Sequence, residues 1–285
     1  MKYRSFGQTG MRLSVVGLGG LLAHYEGACG HPPPEEKRRI YLRSVELGIN
    51  LFDMGYGDEI YIPEELKGGG KNHYFSLKVG SPSANELEGL VDKHLCNVRR
   101  DTIDILRVHH YAYMQDDRLV ERIAGLKQVG KVRALCLIRH FRADQESYVD
   151  RGPEPEADAD LVIYNYVCRW QAPGIEHASV ADKGVLVMKA LGSQWLSWAD
   201  KTKTDWTKAT KETIVKLSAR GEGMRNDLEL AYPIIAGPWY ELAQSGEDIP
   251  RTERAVQWVL ENEGVSSVLV AFASVAELEE GLGVR

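Results

Sequence analysis

Asp53, Tyr56, Lys78 and His109 are the residues whose types and spacing could do chemistry together. Asp53 closes the apolar run "NLFDM", Tyr56 follows within Gly-Tyr-Gly, Lys78 sits in "YFSLKV", and His109 ends "IDILRVH". A tyrosine hydroxyl titrates near pH ~10 and is a poor acid at neutrality. A lysine ammonium beside it favours the phenolate and makes it a better acid. An aspartate paired with that lysine keeps it from being a buried, uncompensated cation. A histidine can hydrogen-bond a substrate oxygen and fix its place. Such a set protonates a carbonyl oxygen while hydride reaches the carbon, and the hydride must come from a cofactor, because no side chain supplies one.

These groups serve one site only if the elements bearing them converge. Short β-like apolar runs alternate with amphipathic stretches along the chain. The runs are 14–19, 50–54, 74–79, 103–110, 132–138, 161–166, 185–190 and 267–272. Helical patterns separate them, one opening on a Ser83/Glu86 capping box and another on Ser274 with Glu277. The alternation implies parallel strands with crossover helices. Closing eight of them into a (β/α)8 TIM barrel leaves no exposed edge and gathers the strand C-termini on one cavity. The expected domain is a single barrel over 1–285, with an N-terminal β-hairpin in 2–14 and a long insertion after strand seven, about 193–250. That insertion holds Trp195, Trp198, Trp206 and Trp239, and reads as a lid, a pocket wall or a packed decoration.

The bulk numbers agree. A length of 285 residues suits one α/β barrel, which typically takes about 250. A net charge of −6 argues against a general nucleic-acid binder, which needs a basic stripe. No stretch of about 18 apolar residues is present to span a membrane, and the N-terminus has no apolar signal segment. Cys29, Cys96, Cys136 and Cys168 are scattered and read as reduced thiols. The expectation is a cytoplasmic protein; oligomeric state leaves no mark in the sequence. His24, Cys29 and His31 cluster without a zinc spacing, so no metal site is expected. Lys71, His73 and His94 read as surface residues.

Taken in order, the motifs resemble the aldo-keto reductase family over nearly the whole chain. "YRSFGQTGMRLSVVGLGG" resembles the family's opening hairpin and first strand, and "ELGINLFDM" its "GIN-FDTA" strand. "SLKVG" is similar to "TKVG", "DTIDILRVHH" to "DYIDLLLLHH", "GKVRALCL" to "GKIRAIGV", and "GVLVMKALG" to "GVIAMKPLG". The resemblance implies NADP or NAD as cofactor, a small-molecule carbonyl or alcohol as substrate, and Asp53, Tyr56, Lys78 and His109 as the catalytic set. Tyr56-Gly57 matches the family's "YG" through a loop shorter by two residues, with Tyr61, Tyr111 and Tyr113 as rivals for the acid. His110 falls beside the catalytic histidine, as a pocket wall or stacking residue. Candidate cofactor contacts are the glycine-bearing end of the first barrel strand at position 18 (Gly17-Leu18-Gly19), Arg139, His140, Asn165, Met188, Lys189 and Ser274.

The chain also departs from the family pattern. "LIRHF" replaces "SNF", so Arg139 and His140 are either a structural pair at a strand end or contacts to an acidic group. Arg107 shares the parity of His109, and a buried arginine there needs a partner, a substrate carboxylate or, better, a neighbouring Asp or Glu. No Lys or Arg lies between Glu263 and Val284, so the last crossing lacks a basic partner for a 2′-phosphate and NADH is as open as NADPH. Three readings follow: a carbonyl reductase or alcohol dehydrogenase, a redox-neutral lyase or epimerase that recycles its cofactor, and a non-catalytic barrel with weakened cofactor binding.

Overall fold

Strands whose residues are buried on both faces must be covered on both, and the chain meets this by closing its sheet and wrapping it in helices. The computed structural model describes residues 1–20, 32–54, 61–68, 70, 72–192 and 237–284. An antiparallel hairpin comes first, β1 (Tyr3–Ser5) against β2 (Arg12–Ser14), with Tyr3 opposite Ser14. Its turn is a 3-10 segment, Gly7–Thr9. Gly7 has φ +49°, and a Cβ there would lie 2.7 Å from the Gly184 amide nitrogen, so only glycine fits. Phe6, Met11 and Leu13 of this hairpin pack with Leu51, Ala134, Leu186 and Leu269, which makes the hairpin the floor of the barrel.

The barrel strands are β3 (Val16–Leu18), β4 (Leu51–Met54), β5 (Tyr74–Gly80), β6 (Ile103–His109), β7 (Val132–Ile138), β8 (Ala159–Ile163), β9 (Gly184–Met188) and β10 (Ser267–Val270). They pair in parallel in chain order, and β10 closes on β3. The helices are α1 (Pro34–Glu46), α2 (Ala84–Val98), α3 (His110–Gln115), α4 (Asp117–Gln128), α5 (Arg142–Arg151), α6 (Ala172–Val180), α7 (Thr252–Leu260) and α8 (Val275–Gly281). The Ser83/Glu86 box forms, the Glu86 carboxylate accepting from the Ser83 N–H at 3.1 Å.

Several strand boundaries differ from the sequence expectation, β9 ending at Met188 and β10 at Val270 among them, and two have a visible cause. β8 ends at Ile163 rather than at 166, because Asn165 Oδ1 accepts the N–H groups of Val167 (3.0 Å) and Cys168 (2.7 Å) and turns the chain. α3 starts directly at His110, which stops the pleat of β6 one residue early. Of the insertion, 193–236 lies outside the described residues, with Trp195, Trp198 and Trp206. Trp239 is buried against Tyr166, with ring centroids 6.0 Å apart.

Strand parity then sorts the polar residues. Side chains of Leu51, Ile105, Ala134, Cys136, Ile138 and Leu186 share the inner cluster with the hairpin. Phe52, Leu77, Leu106, Val108, Leu135 and Leu137 join the layer between sheet and helices. Successive residues alternate, so Asp53, Lys78, Arg107 and His109 face the barrel interior. Arg139 and Asp160 carry the opposite parity and face the helices. Among the described residues no helix is long and apolar enough to cross a membrane. Cys96, Cys136 and Cys168 are in no disulfide.

Candidate active site

The interior residues gather at the C-terminal ends of β4, β5 and β6. Register sets Asp53 beside Ser76, Lys78 beside Arg107, and His109 beside Ile138. Asp53 is buried and forms an ion pair with Arg107, and its other oxygen accepts the Gly20 N–H at 3.3 Å. Arg107 therefore finds the neighbouring carboxylate that its parity called for. Burial raises the Asp53 pKa above the usual carboxylate range, against the opposing pull of Arg107, the Gly20 N–H and Lys78.

Lys78 is half-buried. Desolvation first, then the charges of Arg107 and Lys189, push its pKa down to about 8, with Asp53 opposing. His109 falls to about 4 through burial and then the Lys78 charge, so it is neutral at pH 7. Its ring lies 5.6 Å from that of Tyr111 and 5.2 Å from that of Phe141. Its Nδ1 is buried with no hydrogen-bond partner among the described residues. His140 is driven down to about 3 by burial and then by Lys189, Lys78 and His109. Lys189 follows β9 in a left-handed backbone, φ +61°, and burial lowers its pKa.

Tyr56 lies outside the described residues, as do His24, Cys29 and His31. Two rival tyrosines are placed away from the mouth. Tyr61 packs edge-on to Tyr41 at 5.6 Å, and burial and then Glu65 raise its pKa, which makes it a poorer acid. Burial, then Glu156 and Glu154, raise that of Tyr113. Tyr111 stays at the mouth, its hydroxyl 2.5 Å from Ser81 Oγ and its ring 5.0 Å from Phe141. The aromatic wall of Tyr111, Phe141, His109 and His140 was not foreseen; its traces in the sequence are "HHYAY" and "RHF".

Several expected contacts fall elsewhere. Arg139 is fully buried on the outer face, where Nε donates to Asp160 at 2.7 Å and the guanidinium lies 5.2 Å from the Tyr148 ring. This is the structural pair of the two readings, and it takes Arg139 out of the cofactor contacts. His110 is no pocket wall: its ring nitrogens lie 2.9 Å from Asp144 and 2.8 Å from Glu154, in the same outer layer. Leu18 is turned out beneath the helices. Gly19 and Gly20 reach the mouth instead, where a Cβ on Gly19 would sit 2.9 Å from the Val270 carbonyl carbon. Asn165 is fully buried, and its Nδ2 donates to the Lys189 carbonyl at 2.9 Å, so it braces Lys189 from behind. His94 is buried rather than superficial, and His73 is half-buried against Phe52. Met188 remains partly exposed at the end of β9.

Ser274 caps α8, accepting the Glu277 N–H at 3.1 Å. The adjoining N–H groups meet carboxylates: Ala273 donates to Glu277 at 2.8 Å and Val275 to Glu36 at 3.0 Å. Among the described residues no group of three or more metal-ligating side chains occurs.

A parallel barrel whose mouth joins a desolvated lysine, a neutral histidine and a buried carboxylate has the form of a barrel oxidoreductase with a nicotinamide cofactor. The chain belongs to the aldo-keto reductase family: the model described as "Aldo/keto reductase family" matches residues 15–285. L-galactose dehydrogenase of Arabidopsis thaliana is 26% identical over 311 residues, covering 99% of this chain and 87% of that protein. Among solved structures, the holo form of aldo-keto reductase AKR11C1 from Bacillus halodurans superposes with a TM-score of 0.68 at 20% identity, over 100% of this chain and 90% of the other. The apo form gives 0.66 over the same shares, also at 20% identity. The protein is an NAD(P)-dependent oxidoreductase of a family that acts on small carbonyl compounds.

The residues present fit a nicotinamide dinucleotide. Lys78 and Lys189 bring positive charge to the mouth, Met188 gives an apolar surface at the end of β9, and the orphaned His109 Nδ1 awaits a polar partner.

Proposed function

We propose that this chain interconverts a carbonyl and its alcohol with Tyr56 as the acid on reduction and the base on oxidation. Lys78 favours the phenolate by its charge, and Asp53 anchors the cationic floor through Arg107. Neutral His109 offers one N–H to the reacting oxygen and sets its position. When bound, the nicotinamide supplies or accepts the hydride. The observation that carries this reading is the convergence of Asp53, Lys78 and His109 on one end of the barrel, with His109 held neutral. Removal of Tyr61 and Tyr113 from contention supports Tyr56; Tyr111 is the remaining alternative.

The substrate of this reading is an aldose or a similar hydroxyl-rich compound, oxidised by NAD⁺. The aromatic wall offers flat apolar faces for a sugar ring, and the relative named L-galactose dehydrogenase points the same way. NAD(H) is preferred because the N–H groups at the start of α8 are engaged by Glu36 and Glu277, which repel a further phosphate.

The test follows absorbance at 340 nm with NAD⁺ or NADP⁺ and a panel of aldoses including L-galactose. NAD⁺-linked oxidation is expected, lost by about 10²–10⁴-fold in Tyr56→Phe and kept in Tyr111→Phe. Loss in Tyr111→Phe with retention in Tyr56→Phe would reverse the assignment of the acid. Turnover with NADP⁺ alone would refute the cofactor preference.

A further inference from the structure

His109 and His110 stand side by side in the chain and are held in opposite ways. The His109 ring has its Nδ1 buried with no hydrogen-bond partner among the described residues. What borders it is packing: the Tyr111 ring at 5.6 Å, the Phe141 ring at 5.2 Å, and Gly80, where a Cβ would lie 3.7 Å from His109 Cδ2. The His110 ring is 4% exposed and gripped at both nitrogens, Nδ1 at 2.9 Å from Asp144 Oδ1 and Nε2 at 2.8 Å from Glu154 Oε1. A ring held at both ends cannot turn without breaking one contact.

The two holds are joined through α5. Asp144 lies in the first turn of that helix, and Phe141 is its N-cap. A circuit closes: from His109 to His110 along the chain, across to Asp144, back through the first turn of α5 to Phe141, and from the Phe141 ring onto His109. The other end of the clamp is Glu154, in the segment after α5. Arg139 stands 3.9 Å from Glu154, beyond hydrogen-bond range, so the clamp does not hang on the Arg139–Asp160 pair.

We propose that His110 is a positioning residue that acts through His109: by pinning the start of α3 to the first turn of α5, it fixes the backbone of His109 and the Phe141 ring against it, and so sets where the His109 imidazole meets the reacting oxygen. This deepens the reaction assigned above and rests on it. A ring oriented by packing keeps its direction only as well as its neighbours keep their places. A misplacement of about 1 Å in such a group costs about 10²-fold in rate.

The experiment is a double-mutant cycle on kcat for the NAD⁺-linked oxidation, in wild type, His110→Phe, His109→Gln and His109→Gln/His110→Phe. Phenylalanine keeps a flat ring and loses both contacts. His110→Phe is expected to lower kcat by about 10–10²-fold and to leave the dinucleotide dissociation constant in place. With His109 already replaced, the same change should cost no further rate. A purely structural His110 lowers kcat by the same factor in both backgrounds, or lowers only the melting temperature; either result overturns the proposal.

Asp144 gives a second route if His110→Phe does not fold. Asp144→Leu removes the tie to α5 and should reproduce the loss, while Asp144→Asn keeps a hydrogen-bonding partner for His110 and should recover most of it. The His109 ring is also read without turnover, from its ring-proton NMR signals, identified by their absence in His109→Gln. Flanked by Tyr111 and Phe141, these signals are expected to move in His110→Phe or Asp144→Leu, while those of His73, against Phe52 at the opposite end of the barrel, stay. Moved His109 signals support the proposal even if no sugar is oxidised, an outcome that would count against the assigned reaction alone. His109 signals that stay in place in the folded variants overturn it.

Discussion

The inner mouth of the barrel and the outer layer behind β7 and β8 hold the same kinds of side chain put to opposite use. Inside, Lys78 and Arg107 lie beside the buried Asp53, Lys189 stands near Lys78, and two imidazoles are kept neutral. Outside, Arg139 meets Asp160 at 2.7 Å, and His110 lies between Asp144 and Glu154. In the outer layer the guanidinium and the imidazole each meet carboxylates directly, and these contacts lock β7, β8 and α5 together. At the mouth the His109 Nδ1 is left without a hydrogen-bond partner among the described residues, open to a ligand. His109 and His110 are sequence neighbours, and the start of α3 sends them to different sides. Opposed in this way, buried charge stabilises where partners close on each other and prepares for chemistry where they do not.

Breaking each region in turn separates the two roles. The largest effect is expected from Lys78→Met, which should lower kcat by about 10²–10⁴-fold while the melting temperature holds or rises, since a desolvated cation is removed. Steady-state kinetics with thermal unfolding checks both halves; a melting temperature that collapses alongside kcat would make Lys78 structural. Next comes Asp160→Leu, which strands the Arg139 guanidinium and should cost about 3–5 kcal/mol in urea unfolding, while Arg139→Met/Asp160→Leu recovers most of that loss. If the double variant is as unstable as the single, the outer pair is not the unit described.

A third effect depends on pH. The unfolded histidine value is about 6.5, whereas His109 titrates at about 4 and His140 at about 3 in the fold. Between those values the unfolded chain binds more protons, so stability falls as pH drops below about 6.5 and goes on falling toward pH 4. Urea midpoints at pH 7 and pH 5 should show this, with a smaller drop in His109→Gln/His140→Gln; equal drops in the two proteins would count against it. The smallest effect is Ser274→Ala, which removes the α8 cap and should cost about 1 kcal/mol in urea unfolding.

Much of this was legible in the sequence because strand ends converge by construction. Asp53, Lys78 and His109 end consecutive barrel strands, so their meeting followed from order alone, and the inward parity of Arg107 followed from that of His109. Arg139 was harder. The run "VRALCLI" is apolar on both faces, as a strand between core and helices must be, so alternation does not show which side the next residue takes. His110 was misplaced because a helix beginning without a loop cannot be seen in a run of "HHYAY". The early end of β8 depended on Asn165 capturing two backbone N–H groups, an event that composition does not mark.

The account stands most directly on hydride transfer measured at 340 nm in three folded proteins: wild type, Lys78→Met, and Arg139→Met/Asp160→Leu. If the inner mouth does the chemistry and the outer pair only holds the barrel, the outer double variant turns over within a few-fold of wild type, and Lys78→Met falls by about 10²-fold or more while still binding the dinucleotide. Turnover retained in Lys78→Met, or lost in the outer variant with its fold intact, would contradict that division.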